Sequence, residues 1–219
     1  MQRIPEPELM SDEDQAMAYA NADFEEPHNH FISLLKDSVA DVLPKSGIAM
    51  DLGCGAADIS IRFAKVFQHY QIDALDGSAA MLAEGEKALC VSALSDRISL
   101  IQDYLKETTL ADKDYDLIFS NSLLHHLHDP MLLWNCIKNA KGNPKVFIMD
   151  LMRPDSEEKV DWMVKEYAAG EPEVLQRDFY NSLKAAFTLD EVEQQLITAG
   201  LDGFNVSVVS DRHLIVFRK

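Results

Sequence analysis

A glycine-rich run, Asp51-Leu52-Gly53-Cys54-Gly55-Ala56-Ala57-Asp58, lies in the first third of the chain. It closes the apolar run at residues 47–52 and precedes a helical spacing of apolar residues that begins at Ile59. A strand that enters a helix through a turn with two glycines lets the backbone approach a ligand closely, because glycine has no Cβ atom. The run therefore predicts a ligand-binding turn between a first strand and its following helix.

The segments around this run alternate between strand and helix patterns. Short apolar runs predict strands, and spacings of three and four residues between them predict helices. The predicted strands are residues 47–52, 70–75, 97–102, 115–120, 145–151, 204–209 and 213–217. Strands joined through helices pair in parallel, whereas a short turn joins the last two. The pattern predicts an α/β fold with a doubly wound, mostly parallel seven-stranded sheet and an antiparallel edge strand.

Two helical additions to this sheet are predicted. Residues 1–45 are expected to form an N-terminal helical cap, and residues 46–219 a Rossmann-like domain. Within that domain, residues 152–188 are expected to form a helical insertion over the carboxyl edge of the sheet, where open α/β folds bind ligands. We expect one structural domain overall.

The charge balance restricts the partners. The 219 residues include 20 Lys and Arg against 37 Asp and Glu, which gives a formal net charge of −17 at pH 7. Such a surface repels nucleic-acid phosphates and anionic lipid. The three cysteines have no disulfide or metal-ligand spacing, and we expect neither a leader nor a membrane span. The sequence predicts a cytoplasmic protein that binds neither nucleic acid nor membrane.

Charged residues distinguish the ligands that a glycine turn can bind. A dinucleotide pyrophosphate would lie between Asp51 and Asp58, and the sequence lacks the third glycine of the dinucleotide pattern. It also lacks the lysine that nucleoside triphosphates require in such a turn. A cationic or zwitterionic ligand would meet no repulsion, and S-adenosylmethionine, with its sulfonium and ammonium groups, is such a ligand. A nucleotide-dependent oxidoreductase is the less favoured alternative.

Four stretches, in order, resemble motifs of the class I S-adenosylmethionine-dependent methyltransferases. They are AMDLGCGAAD, IDALDGSAAML, IQDYL and YDLIFSNSLLHHLHDP. The family usually has Thr-Gly where this chain has Ala56-Ala57. The resemblance implies S-adenosylmethionine as cofactor and S-adenosylhomocysteine as product. It implies these cofactor-binding residues: Tyr19, Asp51, Gly53, Cys54, Gly55, Asp76, Gly77, Met81, Asp103, Tyr104, Ser120 and Asn121.

Individual roles follow from the same resemblance. Asp76 would accept hydrogen bonds from the ribose hydroxyls, a geometry that suits a carboxylate. Asp103 and Tyr104 would lie beside the adenine. Ser120 and Asn121 would line the methionine end.

The first helix is expected to contribute aromatic side chains that cover the cofactor. Ser11 is predicted to cap this helix and Pro27 to end it. Tyr19 and Phe24 would then lie on one helix. In proteins that resemble this one, helices before the first strand often fold over the cofactor, so Tyr19 could contact the cofactor and Phe24 the acceptor. Both could instead pack against the sheet.

We expect the acceptor to lie beyond the fourth strand and beneath the insertion. His125 and His126 are candidate catalytic residues, because imidazole can take up a proton near neutral pH. Arg153 could bind an anionic acceptor or pair with a neighbouring aspartate. Tyr180 and Asn181 lie beside the apolar stripe of a predicted helix and are candidate acceptor-binding residues. No metal site is expected, because clustered Cys and His ligands are absent from the sequence.

The predicted function is methyl transfer from S-adenosylmethionine to a small-molecule acceptor by in-line displacement. The alternative is a protein that binds S-adenosylmethionine and acts on, or regulates, a protein partner through its acidic N-terminus. The sequence leaves open the acceptor molecule and its acceptor atom, which could be O, N, S or C. It also leaves open the use of a general base and the oligomeric state.

Overall fold

The computed structural model describes residues 1–6 and 9–219. Within these residues, seven strands form one mixed sheet in the order β3-β2-β1-β4-β5-β7-β6. The strands are β1 Gly47–Leu52, β2 Tyr70–Asp76, β3 Ile98–Gln102, β4 Leu117–Asn121, β5 Lys145–Leu151, β6 Asn205–Val208 and β7 His213–Arg218. Strands β1 to β5 are parallel, and β7 is antiparallel to β5 and β6. The predicted fold class is confirmed, with β7 second from the edge and the short β6 at it.

Eight α-helices flank the sheet in the described part of the chain. They are α1 Glu13–Asn21, α2 Glu25–Val39, α3 Asp58–Val66, α4 Ala79–Ser92, α5 Met131–Lys138, α6 Glu157–Tyr167, α7 Glu173–Ala185 and α8 Leu189–Ala199. Short 3-10 turns occur at Ala40–Val42 and Leu124–His126. Thr188 and Glu191 form a capping box at the start of α8, where each side chain accepts a hydrogen bond from the other residue's amide.

The sheet separates two halves of the core, because successive side chains of a buried strand face opposite sides. In β4, Leu117 and Phe119 pack in the half that contains Phe31 of α2. Ile118, between them, packs in the half that contains Trp134 of α5. All five side chains are fully buried. The helices on both faces therefore hold the carboxyl ends of the strands at one common edge.

The N-terminal helices begin and end at different residues from those predicted. Asp12, not Ser11, caps α1 by accepting a hydrogen bond from the Gln15 amide (2.9 Å). Pro27 does not end a helix; it lies in the first turn of α2, where its missing N–H breaks no helical hydrogen bond. Phe24 precedes α2 and is therefore not on α1.

Residues 152–188, the predicted insertion, contain α6 and α7. Met152 bridges to Phe187, so this segment leaves the sheet and returns to it at adjacent points. Val160 of α6 and Leu183 of α7 pack on Leu151 in a small separate cluster. Among the described residues, none of the helices combines the length and apolar character needed to cross a bilayer.

We name residues 1–6, 9 and 10 the N-terminal segment. It crosses the carboxyl edge of the sheet in extended form. The Arg3 guanidinium donates hydrogen bonds to the backbone oxygens of His125 (3.0 Å), Leu127 (2.9 Å) and Ala185 (2.5 Å). These bonds hold the segment against the loop after β4 and the end of α7.

Candidate functional site

An open cleft of about 1690 Å³ lies at the carboxyl ends of β1, β2 and β4. Open α/β sheets bind ligands at this edge. The glycine turn, the N-terminal helices and α7 form its walls. Its volume exceeds the ~300–1,000 Å³ of a typical small-molecule pocket, so it has room for a nucleoside cofactor and a second molecule.

Most of the predicted site residues line this cleft. Those predicted for the cofactor are Tyr19, Asp51, Gly53, Cys54, Gly55, Asp76, Gly77, Met81, Tyr104 and Asn121, and those predicted for the acceptor reaction are Phe24, His125 and His126. They come from separate segments of the chain. The parallel sheet brings these segments together, as the order of the strands predicts.

The glycine turn adopts a backbone conformation that side chains disfavour. Gly53 and Gly55 have φ angles of +72° and +53°, in the left-handed region. A Cβ on Gly53 would lie 2.8 Å from Leu123 Cδ1, too close for an ordinary contact. Ala57 is also left-handed, with φ of 64°, and it occupies the position where the resembled family usually has glycine. Ala57 therefore adopts a backbone conformation that glycine accepts more readily than alanine.

Asp51 is a buried carboxyl group at the end of β1. It is 1% exposed, and its Oδ2 accepts a hydrogen bond from Ser60 Oγ (2.5 Å). Burial raises the pKa of Asp51 to about 7, against the effect of the Ser60 hydrogen bond, and the negative charge of Asp76 adds to the increase. A cationic ligand beside this group would favour its ionised form.

We expect Asp51→Asn to increase the free energy of unfolding at pH 8. The folded protein retains the Asp51 proton up to a pKa of about 7, whereas the unfolded chain releases it near the ordinary value of 3.8. Stability that comes from this group therefore falls as the pH rises from about 4 to about 7. The pKa difference corresponds to about 4 kcal/mol at most. Denaturant titrations at pH 4, 6 and 8 should show a steeper decline for the wild type. Parallel declines would show that Asp51 is not the titrating group.

Asp76 ends β2 with its carboxylate oriented by two backbone amides. Oδ2 accepts a hydrogen bond from the Gly55 amide (2.8 Å), and Oδ1 accepts one from the Ser78 amide (2.8 Å). Burial raises the pKa of Asp76, and these two hydrogen bonds oppose the increase. Each oxygen keeps a further lone pair for a ligand. The carboxylate therefore links the glycine turn to the start of the loop after β2.

Aromatic side chains from both N-terminal helices meet beside α3. The ring centroids of Tyr19 and Phe24 lie 4.8 Å apart, and those of Phe24 and His28 lie 5.1 Å apart. His28 Nδ1 lies 2.6 Å from Asp58 Oδ2, and Arg62 Nε lies 2.7 Å from the same oxygen. These partners compensate the charge of Asp58. Asp58 therefore repels a phosphate less than its position in the sequence suggests. Asp51 and Asp76 are the acidic groups that line the cleft beside the glycine turn without a cationic side chain paired to them in the described residues.

Two predicted cofactor residues do not line the cleft. The Asp103 side chain is 45% exposed and pairs with Lys106 Nζ at 2.7 Å, outside the cleft lining. Ser120 is fully buried, and its Oγ donates a hydrogen bond to the Leu52 backbone oxygen (2.7 Å). This hydrogen bond links β4 to β1 within the sheet. The Ser120 side chain does not line the cleft.

Arg153 has a different partner from those predicted. Its Nη2 pairs with Glu191 Oε1 at 2.6 Å, and its Nη1 and Nε donate to the backbone oxygens of Ala186 and Met1. All of these contacts are structural, and Arg153 does not line the cleft. Arg153 therefore connects the end of α7 to the start of α8. The structure does not support an acceptor-binding role for Arg153.

Tyr180 and Asn181 also lie outside the cleft lining. Tyr180 packs on the small cluster between α6 and α7. The face of α7 that lines the cleft contains Asp178, Phe179 and Ser182. Phe179 also packs against the small cluster between α6 and α7, so its ring contributes both to that cluster and to the cleft wall.

His125 lies at the acceptor end of the cleft and is only 2% exposed. Its Nδ1 lies 2.6 Å from Asp150 Oδ1 and its Nε2 lies 3.6 Å from Glu6 Oε1. The Leu124 and Leu151 amides donate to the Asp150 carboxylate at 2.7 Å each and fix it. Burial lowers the pKa of His125, but Asp150 and Glu6 raise it by more, so the net pKa lies above its ordinary value.

Sequence reasoning missed the N-terminal segment. Leu9 and Met10 line the cleft, and Leu9 packs so closely on Gly77 that a Cβ there would lie 2.8 Å from Leu9 Cδ2. Glu6 accepts a hydrogen bond from Ser182 Oγ (2.9 Å) beside the two histidines. No periodic spacing marks these residues, so no pattern could have placed them at the site.

Two comparisons of the sequence match parts of this chain to methyltransferases. Residues 49–142, from β1 through α5, match a family model described as a methyltransferase domain. A curated relative, malonyl-[acyl-carrier protein] O-methyltransferase 1 of Ilyobacter polytropus, is 34% identical over 87 residues. That alignment covers 39% of this chain and 31% of the relative's length.

Solved structures resemble this chain over nearly its whole length. A putative S-adenosylmethionine-dependent methyltransferase of Methanococcus maripaludis has a TM-score of 0.71 at 21% identity and covers 99% of this chain and 97% of its own. The plantazolicin methyltransferase BpumL, in complex with S-adenosylhomocysteine and a plantazolicin analogue, has a TM-score of 0.68 at 16% identity, with 94% and 90% covered. At these identities the likeness shows the fold.

The glycine turn, the acidic residue after β2 and the sheet order are those of a Rossmann-like fold, and residues 49–142 match a methyltransferase domain. The chain therefore has the fold of the S-adenosylmethionine-dependent methyltransferases that it resembles.

Proposed function

We propose that this protein transfers the methyl group of S-adenosylmethionine to a small-molecule acceptor. The observation that carries the proposal is the presence of two chemically different ends in one cleft. One end has the glycine turn with the buried carboxyl groups of Asp51 and Asp76. The other end, beyond β4, has His125 held by Asp150.

The first end fits a ligand that has a ribose and a positive charge. In the described residues, neither Asp51 nor Asp76 forms an ion pair with a Lys or Arg side chain; Asp51 accepts from a hydroxyl group and Asp76 from two amides. Asp76 would hold the ribose hydroxyls, and Asp51 would compensate the ammonium group. Gly53 permits the left-handed conformation of the turn and lets Leu123 pack against it. When bound there, S-adenosylmethionine supplies an activated methyl group.

The second end can position and desolvate an acceptor. Phe24, at the start of α2, and Phe179, on α7, form apolar parts of the cleft wall. In-line displacement needs a close, oriented approach, and positioning of this kind contributes roughly 7–11 kcal/mol in well-ordered systems. The His125 imidazole, held through Nδ1 by Asp150, would accept a proton from the acceptor at Nε2. We assign residues 1–45 as the cap that closes the cofactor end.

A small acceptor agrees with the names of similar proteins and with the charge of this chain. The curated relative is named for a malonyl group on a carrier protein, and the structural neighbour for the natural product plantazolicin. A net charge of −17 disfavours nucleic-acid substrates. Cys54, Cys90 and Cys136 are free thiols, which suits a reducing cytoplasm.

The test is a search for labelled products. The protein is incubated with a metabolite extract and S-adenosylmethionine that has an isotopically labelled methyl group, and products are analysed by mass spectrometry. We expect labelled molecules of low mass that are absent with Asp76→Ala. Label on protein alone would support a protein acceptor instead. Binding of the cofactor without any labelled product would overturn the enzymatic proposal and favour a sensor.

A further inference from the structure

Three metal-ligating side chains converge at the acceptor end from distant parts of the sequence. Glu6 comes from the N-terminal segment, and His125 and His126 come from the 3-10 turn after β4. One oxygen or nitrogen donor atom from each lies within 4.8 Å of the others. His125 and His126 also line the cleft, so an ion at this cluster would face the acceptor.

The donor separations suit a small divalent cation. Glu6 Oε1 lies 3.6 Å from His125 Nε2 and 3.4 Å from His126 Nδ1. In a tetrahedral zinc site with bonds of 2.0–2.2 Å, neighbouring donors lie about 3.3–3.5 Å apart. The two separations from Glu6 therefore match those of a coordination shell, and the two histidine donors lie within 4.8 Å of each other. Two histidines with one glutamate are a donor set that leaves a fourth position for water or substrate.

His125 is oriented as a metal ligand would be. Its Nδ1 is engaged by Asp150 at 2.6 Å, which directs Nε2 toward Glu6. The side chain is 2% exposed, and Nε2 lies 3.6 Å from Glu6 Oε1, which exceeds hydrogen-bond distance. A histidine that binds a metal through one nitrogen usually has a carboxylate or carbonyl at the other. The Asp150 carboxylate occupies that position at Nδ1 and leaves Nε2 facing Glu6.

The local charge also favours a cation. Glu6 and Asp150 are both carboxyl groups next to the histidines, and Arg3 is the cation that faces them. Arg3 is committed to backbone oxygens through its Nε and Nη2. Ser182 Oγ donates to Glu6 Oε1 (2.9 Å), which orients this carboxylate from α7.

We infer that Glu6, His125 and His126 bind a divalent transition-metal cation of the Zn²⁺ type at the acceptor end of the cleft. The sequence predicts no metal site, because Glu6 and His125 lie 119 positions apart and no local spacing connects them. The inference goes beyond methyl transfer, since the site would select acceptors that offer a metal-binding oxygen, nitrogen or sulfur atom.

The experiment is calorimetric titration of chelator-treated protein with Zn²⁺, followed by Co²⁺ as a spectroscopic probe. We expect one Zn²⁺ per chain and a visible Co²⁺ absorption typical of four- or five-coordinate sites. Glu6→Gln and His126→Ala should each weaken Zn²⁺ binding at least tenfold. His69→Ala is the matched control, because His69 is exposed and remote in sequence from the cluster.

Two results would overturn the inference. One is the lack of one-to-one binding by the wild type, and the other is either variant binding Zn²⁺ as tightly as His69→Ala. Circular dichroism and thermal melting establish that the variants are folded. Glu6→Gln keeps the shape of the side chain and so guards against misfolding as the cause. S-adenosylhomocysteine affinity, measured on the same samples, separates this result from any failure of cofactor binding.

Discussion

Replacement of His125 by alanine is expected to lower kcat by at least about 100-fold, within the roughly 10²–10⁴-fold range of acid–base contributions. The reason is that His125 is the buried imidazole at the acceptor end, fixed by Asp150 at 2.6 Å. Cofactor affinity should stay within about twofold, because the glycine turn and Asp76 are separate from this ring. The measurement is steady-state turnover with the acceptor that the labelling experiment identifies. Calorimetry with S-adenosylhomocysteine measures the cofactor affinity of the same variant.

The matched control for this variant is His69→Ala, which removes an exposed imidazole and should leave both quantities unchanged. Full turnover by His125→Ala would reduce the residue to a structural support of the loop after β4. A parallel loss of cofactor affinity would show instead that the substitution disturbs the whole cleft.

Replacement of Asp76 by alanine is expected to weaken binding of both S-adenosylmethionine and S-adenosylhomocysteine by about 10- to 150-fold. Loss of one hydrogen bond to a charged group costs roughly 1.5–3 kcal/mol, and each 1.4 kcal/mol is a factor of ten. The Asp76 carboxylate also holds the Gly55 amide at 2.8 Å, so the glycine turn loses a support as well. Calorimetry gives the change directly.

Asp103→Ala is the control that distinguishes the two acidic residues. Asp103 is exposed, pairs with Lys106 and lies outside the cleft lining, so we expect its replacement to change affinity by no more than about twofold. If Asp103→Ala weakens binding as much as Asp76→Ala, the adenine position inferred from the sequence is right and the described cleft is incomplete. If Asp76→Ala has no effect, the ribose assignment is rejected.

The sheet could be predicted because its signals are local. Each strand is a short apolar run. Helix ends can also be marked locally, as the capping box at Thr188 and the left-handed Gly200 mark the two ends of α8. The first helices were harder. Asp12 and Ser11 are both good caps, and Pro27 is compatible with a helix start as well as a helix end, so local chemistry left their bounds ambiguous.

The cofactor end could largely be predicted, because its residues follow strands whose carboxyl ends meet. The acceptor end could not. Glu6 reaches His125 only through the path of the N-terminal segment, and the orientation of α7 decides whether Phe179 or Tyr180 faces the cleft. Both depend on tertiary packing, and a helix with apolar residues on more than one side does not specify its orientation by periodicity alone.

The most direct measurement is calorimetry of the wild-type protein with three ligands, namely S-adenosylmethionine, S-adenosylhomocysteine and NAD. Since acidic groups face the glycine turn, we predict one-to-one binding of the first two and none of the dinucleotide. Binding of NAD without binding of either sulfur nucleoside would contradict the account.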